Sequence, residues 1–364
     1  MDLIHKLAFY LPQYHPIAEN DAWWGTGFTE WTNVARARPL FRGHRQPRLP
    51  ADLGFYDLRV PETRQAQADM ARSAGIDAFV YWHYWFGDGR MVLQRPLDEV
   101  VSSGEPDFPF CVGWANQSWS GVWHGAADQI LIKQTYPGPA DVEAHFQRLL
   151  PIVSDRRDFR VAGMPLLYVF APAEIPDPER WCETMRELAD KEGLAGLYLV
   201  GNGLTPPDLR GFDAGSSQPQ LTPYRSAGTV TRRAARTFLG SGRVGPARSS
   251  FRRAANRYQD VLQAQDEASA VARHPTILTG WDNTPRSGRL GNVLTGFDQS
   301  SFEIHVNDVL AYVRDVRSSG HPKICFVKSW NEWAEGNILE PDSVLGSSIL
   351  DTFRRCASQV GAGS

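Results

Sequence analysis

Ser329-Trp330-Asn331-Glu332-Trp333-Ala334-Glu335-Gly336-Asn337 sets two carboxylates three positions apart among indole rings. Splitting a glycosidic bond needs such a pair. One carboxyl protonates the leaving oxygen, and the other supplies or uncovers a nucleophile. Apolar walls such as Trp330 and Trp333 would raise the pKa of one glutamate and keep it protonated near neutral pH. Glu-x-x-Glu alone would read as two glutamates paired with arginines on a loop. The Trp-Asn-Glu-Trp setting directly after an apolar run turns the reading to catalysis by Glu332 and Glu335.

Other apolar runs end in similar residues. After the first come Tyr10, Gln13, Tyr14, Trp24, Glu30, Trp31 and Asn33; after the second come Trp82, His83 and Tyr84. Trp114 and Asn116 follow the third, with Gln117, Trp119 and Trp123 beyond them. Trp281, Asp282 and Asn283 follow the seventh, and Trp330, Asn331 and Trp333 flank the two glutamates. Sugar rings present apolar C–H faces to aromatic rings, and their hydroxyls need Asn, Gln, Asp, Glu and His partners. Both residue sets are present, so these positions are candidate sugar contacts. Some of the rings would instead fill the mouth of the fold. There is no HExxH, no His pair at metal spacing and no Asp-x-Asp, so no metal is expected. No P-loop or GxSxG element occurs either, and no cofactor is expected.

These side chains need a scaffold that brings many strand ends together. Apolar runs at 7–11, 77–82, 108–114, 165–170, 196–201, 212–217, 275–281 and 323–330 alternate with amphipathic stretches near 61–73, 92–102, 141–153, 178–191, 301–318 and 343–358. Continuous apolar strands fit a parallel sheet buried on both faces. The alternation fits a (β/α)8 TIM barrel or a doubly wound sheet. No GxGxxG follows the first strand, and polar and aromatic residues gather after nearly every strand, which favours the barrel. The expectation is one barrel domain over residues 1–360, with long βα loops and an insertion at about 225–260.

Two stretches break the repeat. Residues 12–57 form a long loop rich in glycine and aromatics, of the kind that carries function. Residues 225–259 hold nine arginines and no acidic residue, in a chain of net charge −3. The insertion reads first as a solvated segment, and second as a seat for an anionic partner over 225–257. The overall charge excludes a nucleic-acid binder by composition. No signal peptide or membrane-length apolar run is visible, which suggests a cytoplasmic or membrane-peripheral chain, or one segment of a larger protein. The four cysteines show no ligand spacing, and Cys111 and Cys325 sit in apolar runs as buried small residues.

AFYLPQYHPIAENDAWWGTGFTEWTNV, GFYDLRVPETR, YWHYWF, RPLDEV, GEPDFPFCVGWAN, GWDNTPR and SWNEWAEGNILEPD together resemble the WbsX family, also described as glycoside hydrolase family 99-like proteins. The blocks run from Ala8 to about Asp342. The family is often labelled glycosyltransferase and is associated with bacterial surface polysaccharides such as O-antigen. Its family 99 relatives are retaining, endo-acting α-mannosidases on (β/α)8 barrels. The resemblance implies that Glu332 is the base and Glu335 the acid. The base would draw the proton from the sugar's own 2-hydroxyl, which attacks C1 to give a 1,2-anhydro sugar, while the acid protonates the leaving oxygen. Water would then open the ring with the roles reversed. α-Linked manno-configured sugars, mannose or rhamnose, suit this geometry, and the substrate would be an oligosaccharide or polysaccharide. One position departs: the family's Trp-Ala-Asn-Glu-x-Trp block has Gln117 in place of its Glu. Two alternatives follow. Glu332 and Glu340 are separated by seven residues, a spacing seen in one group of retaining glycosyltransferases, and Gln117 fits a glycan-binding barrel that no longer catalyses.

Overall fold

The computed structural model describes residues 3–121, 126–203, 210–219, 245–266, 273–315 and 322–361. Eight parallel strand positions form a barrel: β1 (His5–Tyr10), β2 (Ala78–Trp85), β3 (Phe110–Trp114), β4 (Met164–Val169), β5 (Tyr198–Asn202), β6 (Ala214–Ser216), β7 (Arg273–His274, resuming as Thr276–Ile277) and β8 (Ile324–Val327). β1 pairs with β2 on one side and with β8 on the other. The two pieces of β7 meet β6 and β8, and Pro275, which has no N–H to give a ladder, separates them. Phe9, Trp82, Tyr168 and Phe326 come from β1, β2, β4 and β8, yet Phe9 lies 4.6–5.3 Å from the other three rings. Only a closed barrel brings residues of those strands into one layer.

The helices are α1 (Ala18–Trp24), α2 (Glu30–Arg36), α3 (Pro61–Ala74), α4 (Arg95–Ser103), α5 (Pro139–Val153), α6 (Pro178–Lys191), α7 (Phe251–Asp266), α8 (Thr284–Ser287), α9 (Gln299–Asp315) and α10 (Ser348–Gly361). α3 starts on a proline and stops at Gly75, whose φ of 83° is left-handed. Asp177 caps α6 by accepting from the Arg180 amide. Among the described residues no helix is long and apolar enough to cross a membrane. All four cysteines are buried and free.

Two expectations need correcting. Residues 12–57 are not all loop: they contain α1 and α2, and Thr29 and Thr32 form a reciprocal cap at the start of α2. The arginine-rich insertion is not wholly a solvated segment. Ala247–Ser250 pairs in parallel with Asn292–Thr295, and Phe251, Tyr258 and Leu262 of α7 are buried against the barrel. Arg248 stands over the Phe41 ring at 4.8 Å. The sequence reading saw the arginines and missed the apolar spacing between them. Arg225, Arg232, Arg233, Arg236 and Arg243, like Trp123, lie outside the described residues.

Candidate active site

A cavity of about 410 Å³ opens at the C-terminal ends of the strands, where a barrel's loops converge. Glu332 and Glu335 enter it from the loop after β8, Arg286 from α8, Glu30 and Asn33 from α2, and Trp82 and Tyr84 from β2. Trp24, Trp119, Phe170 and Trp281 supply apolar wall. The hairpin Trp119–Gly121 with Ala126–Ile132 brings Trp119 and Leu131 over from the β3 side.

Arg286 organises the charges. Its Nη1 donates to Glu335 Oε1 at 2.6 Å, and its Nη2 lies 3.0 Å from Glu30 Oε1. All three side chains are nearly or fully buried. Burial pushes the Glu30 pKa up, and Arg286 opposes that rise. Two carboxylates on one guanidinium raise the Arg286 pKa despite its burial. Glu332 has no cation in contact among the described residues: Asn337 Nδ2 donates to its Oε2 at 3.2 Å. Burial first, then the charge of Glu335, push the Glu332 pKa up to about 8, against the pull of Lys328 and Arg286. The pair is therefore asymmetric. Glu335 sits on a guanidinium, whereas Glu332 has only an amide donor on it among the described residues.

The scaffold beneath the pair is a second polar cluster. Glu340 is buried and accepts four hydrogen bonds: from Trp330 Nε1 (2.9 Å), Trp333 Nε1 (2.7 Å), Tyr56 Oη (2.8 Å) and Gln67 Nε2 (2.6 Å). It thus holds both tryptophans of the glutamate loop. Burial raises its pKa to about 7, and the donated hydrogen bonds restrain that rise. Asn331 ties the loop to the end of β1, accepting from the Leu11 amide at 2.8 Å and donating to the Leu11 carbonyl at 3.1 Å. Gly336 ends the Trp333–Glu335 turn at φ 59°, and a Cβ there would lie 3.0 Å from the Asp282 backbone nitrogen. That close approach lets the Asp282 amide donate to the Glu335 carbonyl at 2.6 Å.

Of the predicted residues, Gln13, Trp24, Glu30, Asn33, Trp82, Tyr84, Trp281, Glu332 and Glu335 line the cavity. The others face elsewhere. Tyr10 points to the helix layer and donates to Gln67 at 2.6 Å, and Tyr14 donates to the Asn331 carbonyl. Trp31 donates to the Tyr56 carbonyl at 2.7 Å and packs on Trp333. His83 meets His145 of α5 at 3.0 Å, and burial lowers its pKa to about 3. Trp114 stacks on Trp181 of α6, and Asn116 bridges to the Ala171 backbone. Asp282 accepts from His44, Gln46 and Thr284, while Asn283 accepts from the Asn292 amide. Trp330, Asn331 and Trp333 are scaffold, as described. Glu340, the transferase-spacing partner, does not line the cavity.

Sequence reasoning missed Arg286, although it ends the quoted GWDNTPR block, and it missed Lys328, Gln218 and Asn20. Asn20 is fully buried at the cavity wall, and neither its Oδ1 nor its Nδ2 has a hydrogen-bond partner among the described residues. A lone amide in a helix start carries no sequence signal of that kind.

Among solved structures, the fold matches the GH99 endo-alpha-mannosidase from Bacteroides thetaiotaomicron at a TM-score of 0.58, with 15% identity over 98% of this chain and 97% of that one. A second match, a glycoside hydrolase-like protein, has a TM-score of 0.62 and 14% identity, over 99% of this chain and 94% of the other. In sequence, the chain is 36% identical to the protein WxcX of two strains of Xanthomonas campestris pv. campestris, over 97% of its own length. It spans about half the length of those curated relatives, 49% in each case. The family model described as Glycosyltransferase WbsX matches residues 6–353. A glycosidase-like barrel with this match over nearly its whole length belongs to the WbsX family.

Proposed function

We propose that the chain is a glycoside hydrolase. It is endo-acting and retaining, and it cleaves α-linked manno-configured residues, mannose or rhamnose, in a bacterial surface polysaccharide. The reading is carried by one observation: a buried carboxyl pair in an aromatic cavity, with Arg286 fixing one member. Glu332 is the base and Glu335 the acid, acting through a 1,2-anhydro sugar.

The charge arrangement bears on how these roles run. The reaction needs one proton on the pair, carried by Glu335, with Glu332 ionised. In that form Glu332 is a strong base, suited to removing a proton from a sugar hydroxyl, because burial raises its proton affinity. Glu335 gives its proton to the leaving oxygen, and Arg286 stands ready to pair with the carboxylate left behind. The base takes the 2-hydroxyl proton as the 2-oxygen bonds to C1 and the C1–O bond breaks onto the proton from Glu335. Water then adds at C1 as the bond from C1 to the 2-oxygen breaks; it gives one proton to Glu335, and Glu332 returns to the 2-oxygen the proton it took.

Fluorophore-labelled α-mannan and α-rhamnan oligosaccharides test the reading. Glu332→Gln and Glu335→Gln should each lower turnover at least 1000-fold. A fluoride leaving group should restore Glu335→Gln alone, because fluoride needs no acid. Unchanged turnover in both variants would end the assignment, and rescue of Glu332→Gln instead would exchange the roles.

The family's description as a glycosyltransferase favours a second reading, transfer of a sugar from a nucleotide or lipid-phosphate donor. The Glu332–Glu340 spacing gives it no support, since Glu340 is bonded to four donors beneath the loop. Saturable stabilisation by a nucleotide sugar in a thermal-shift titration would revive it.

A further inference from the structure

The cavity's cations differ in how they are matched. Arg286 is held by two carboxylates. Lys328, which leaves β8 half-buried at the cavity wall, contacts no carboxylate among the described residues within 4 Å. Its Nζ donates to the Gln218 Oε1 at 2.9 Å. The Gln218 amide nitrogen donates in turn to the Tyr168 hydroxyl at 3.2 Å, so the amide is oriented with its oxygen toward the lysine. The ammonium stands 6.0 Å from the centre of the Trp281 ring. The Trp281 indole N–H is buried and has no acceptor among the described residues, and the residue is 9% exposed. Both side chains line the cavity.

An ammonium and an indole N–H only donate. A buried donor without an acceptor forfeits hydrogen bonding that water would have given it, unless a ligand supplies the acceptor. A sugar hydroxyl has lone pairs for such donors but brings no charge to the ammonium. A carboxylate has two oxygens with lone pairs for both donors, and it neutralises the ammonium. We propose that Lys328 and the Trp281 indole N–H form a subsite for the carboxylate of an acidic sugar, a uronic-acid unit of the glycan. The ligand's being a sugar rests on the glycan-cleaving reading, whereas the subsite's selectivity is measured by binding and needs no turnover. Lys328 also draws down the proton affinity of Glu332, so the test has to separate ligand contact from that effect.

Ligand-observed NMR titrations of the full chain with glucuronate, galacturonate and mannuronate, each beside its neutral hexose, provide that separation. At least one uronate should bind 10-fold or more tighter than its hexose. Lys328→Met should close that gap, and Lys328→Arg should retain it. A tuning role for Lys328 alone predicts no gap in the native chain. Trp281→Phe removes only the indole donor and should narrow the gap at least threefold, and it serves where Lys328→Met fails to fold. The proposal is overturned if no uronate is preferred, or if the full gap survives either Lys328→Met or Trp281→Phe. It is also overturned if inorganic phosphate binds at Lys328 and no uronate does, which would make the anion a phosphate. A preserved uronate gap in a chain that cleaves no glycan would sink the hydrolase reading and leave the subsite standing.

Discussion

Glu340→Gln is a one-atom change whose cost follows from counting donors. Oε1 accepts from Gln67 Nε2 and Trp330 Nε1, and Oε2 accepts from Tyr56 Oη and Trp333 Nε1. An amide keeps one oxygen and must turn its NH2 toward the other pair. On the Oε1 side both neighbours donate, and Gln67 cannot flip cheaply because its own Oε1 accepts from Tyr10 at 2.6 Å. On the Oε2 side the Tyr56 hydroxyl can rotate to accept, but the Trp333 indole cannot. The cheaper arrangement therefore strands one buried indole N–H, at ~1–3 kcal/mol. The two hydrogen bonds left on the amide oxygen lose their charge assistance, which adds about 1 kcal/mol. Removing a buried charge returns part of this, so the net loss is about 2–3 kcal/mol. Urea unfolding of native and variant chains at pH 8 measures it, and amide exchange of the 329–340 peptide locates it. Equal stability within about 0.5 kcal/mol, with unchanged exchange, would refute the view that Glu340 clamps the glutamate loop.

Other outcomes follow from the same contacts. Arg286→Met should leave Glu30 and Glu335 buried as unmatched charges, lowering stability by about 3 kcal/mol or more, and Lys should recover little because one ammonium cannot fork to both; a melt of each variant decides. The Glu332 pKa lies above its unfolded value, so its contribution to stability is complete below about pH 4.5 and is lost as pH rises through about 8. The melting temperature of Glu332→Gln, relative to the native chain, should therefore climb between pH 5 and 9, measured by calorimetry. His83 and His145 have pKa values lowered by burial, so acid below about pH 6.5 should destabilise the chain through them; His145→Gln should blunt that acid limb in a pH–melt series. Gly336→Ala, forced to φ 59° against the Asp282 backbone, should cost about 1–3 kcal/mol and disturb Glu335 more than Glu332, seen as a loss of turnover larger than the loss of stability explains.

Much of the barrel was legible because its strands are buried on both faces and stand out as apolar runs. The expected helix at 178–191 matches α6, and 61–73 falls one residue short of α3. The seventh run, expected at 275–281, proved to be a strand at 273–277 broken at Pro275. α1 and α2 were obscured because each is seven residues long, too short to show a helical period. In α7 the arginines drew attention from Phe251, Tyr258 and Leu262, whose spacing marks a buried face. Charge dominates composition, while burial is set by a few apolar positions.

Several residues that line the cavity were legible in the sequence, and their orientation was less so. Along β2, Trp82 and Tyr84 enter the cavity, while His83 and Trp85 between and beyond them stack near His145 of α5. Period-2 alternation fixes that neighbours diverge, but only contact with another element fixes which parity faces inward. Here Phe9 of β1 decides it, by stacking on Trp82 at 4.6 Å. The loop after β8 obeys another logic. Its tryptophans do not face the cavity as the wall of Glu332. They turn their N–H groups inward to Glu340, and the polar rim of the loop, Glu332 and Glu335, is what remains to face outward. A motif that reads as aromatic rings around two acids is therefore two acids held up by aromatic rings, and the same residues would serve any reaction that needs a pair of carboxyls fixed above a barrel.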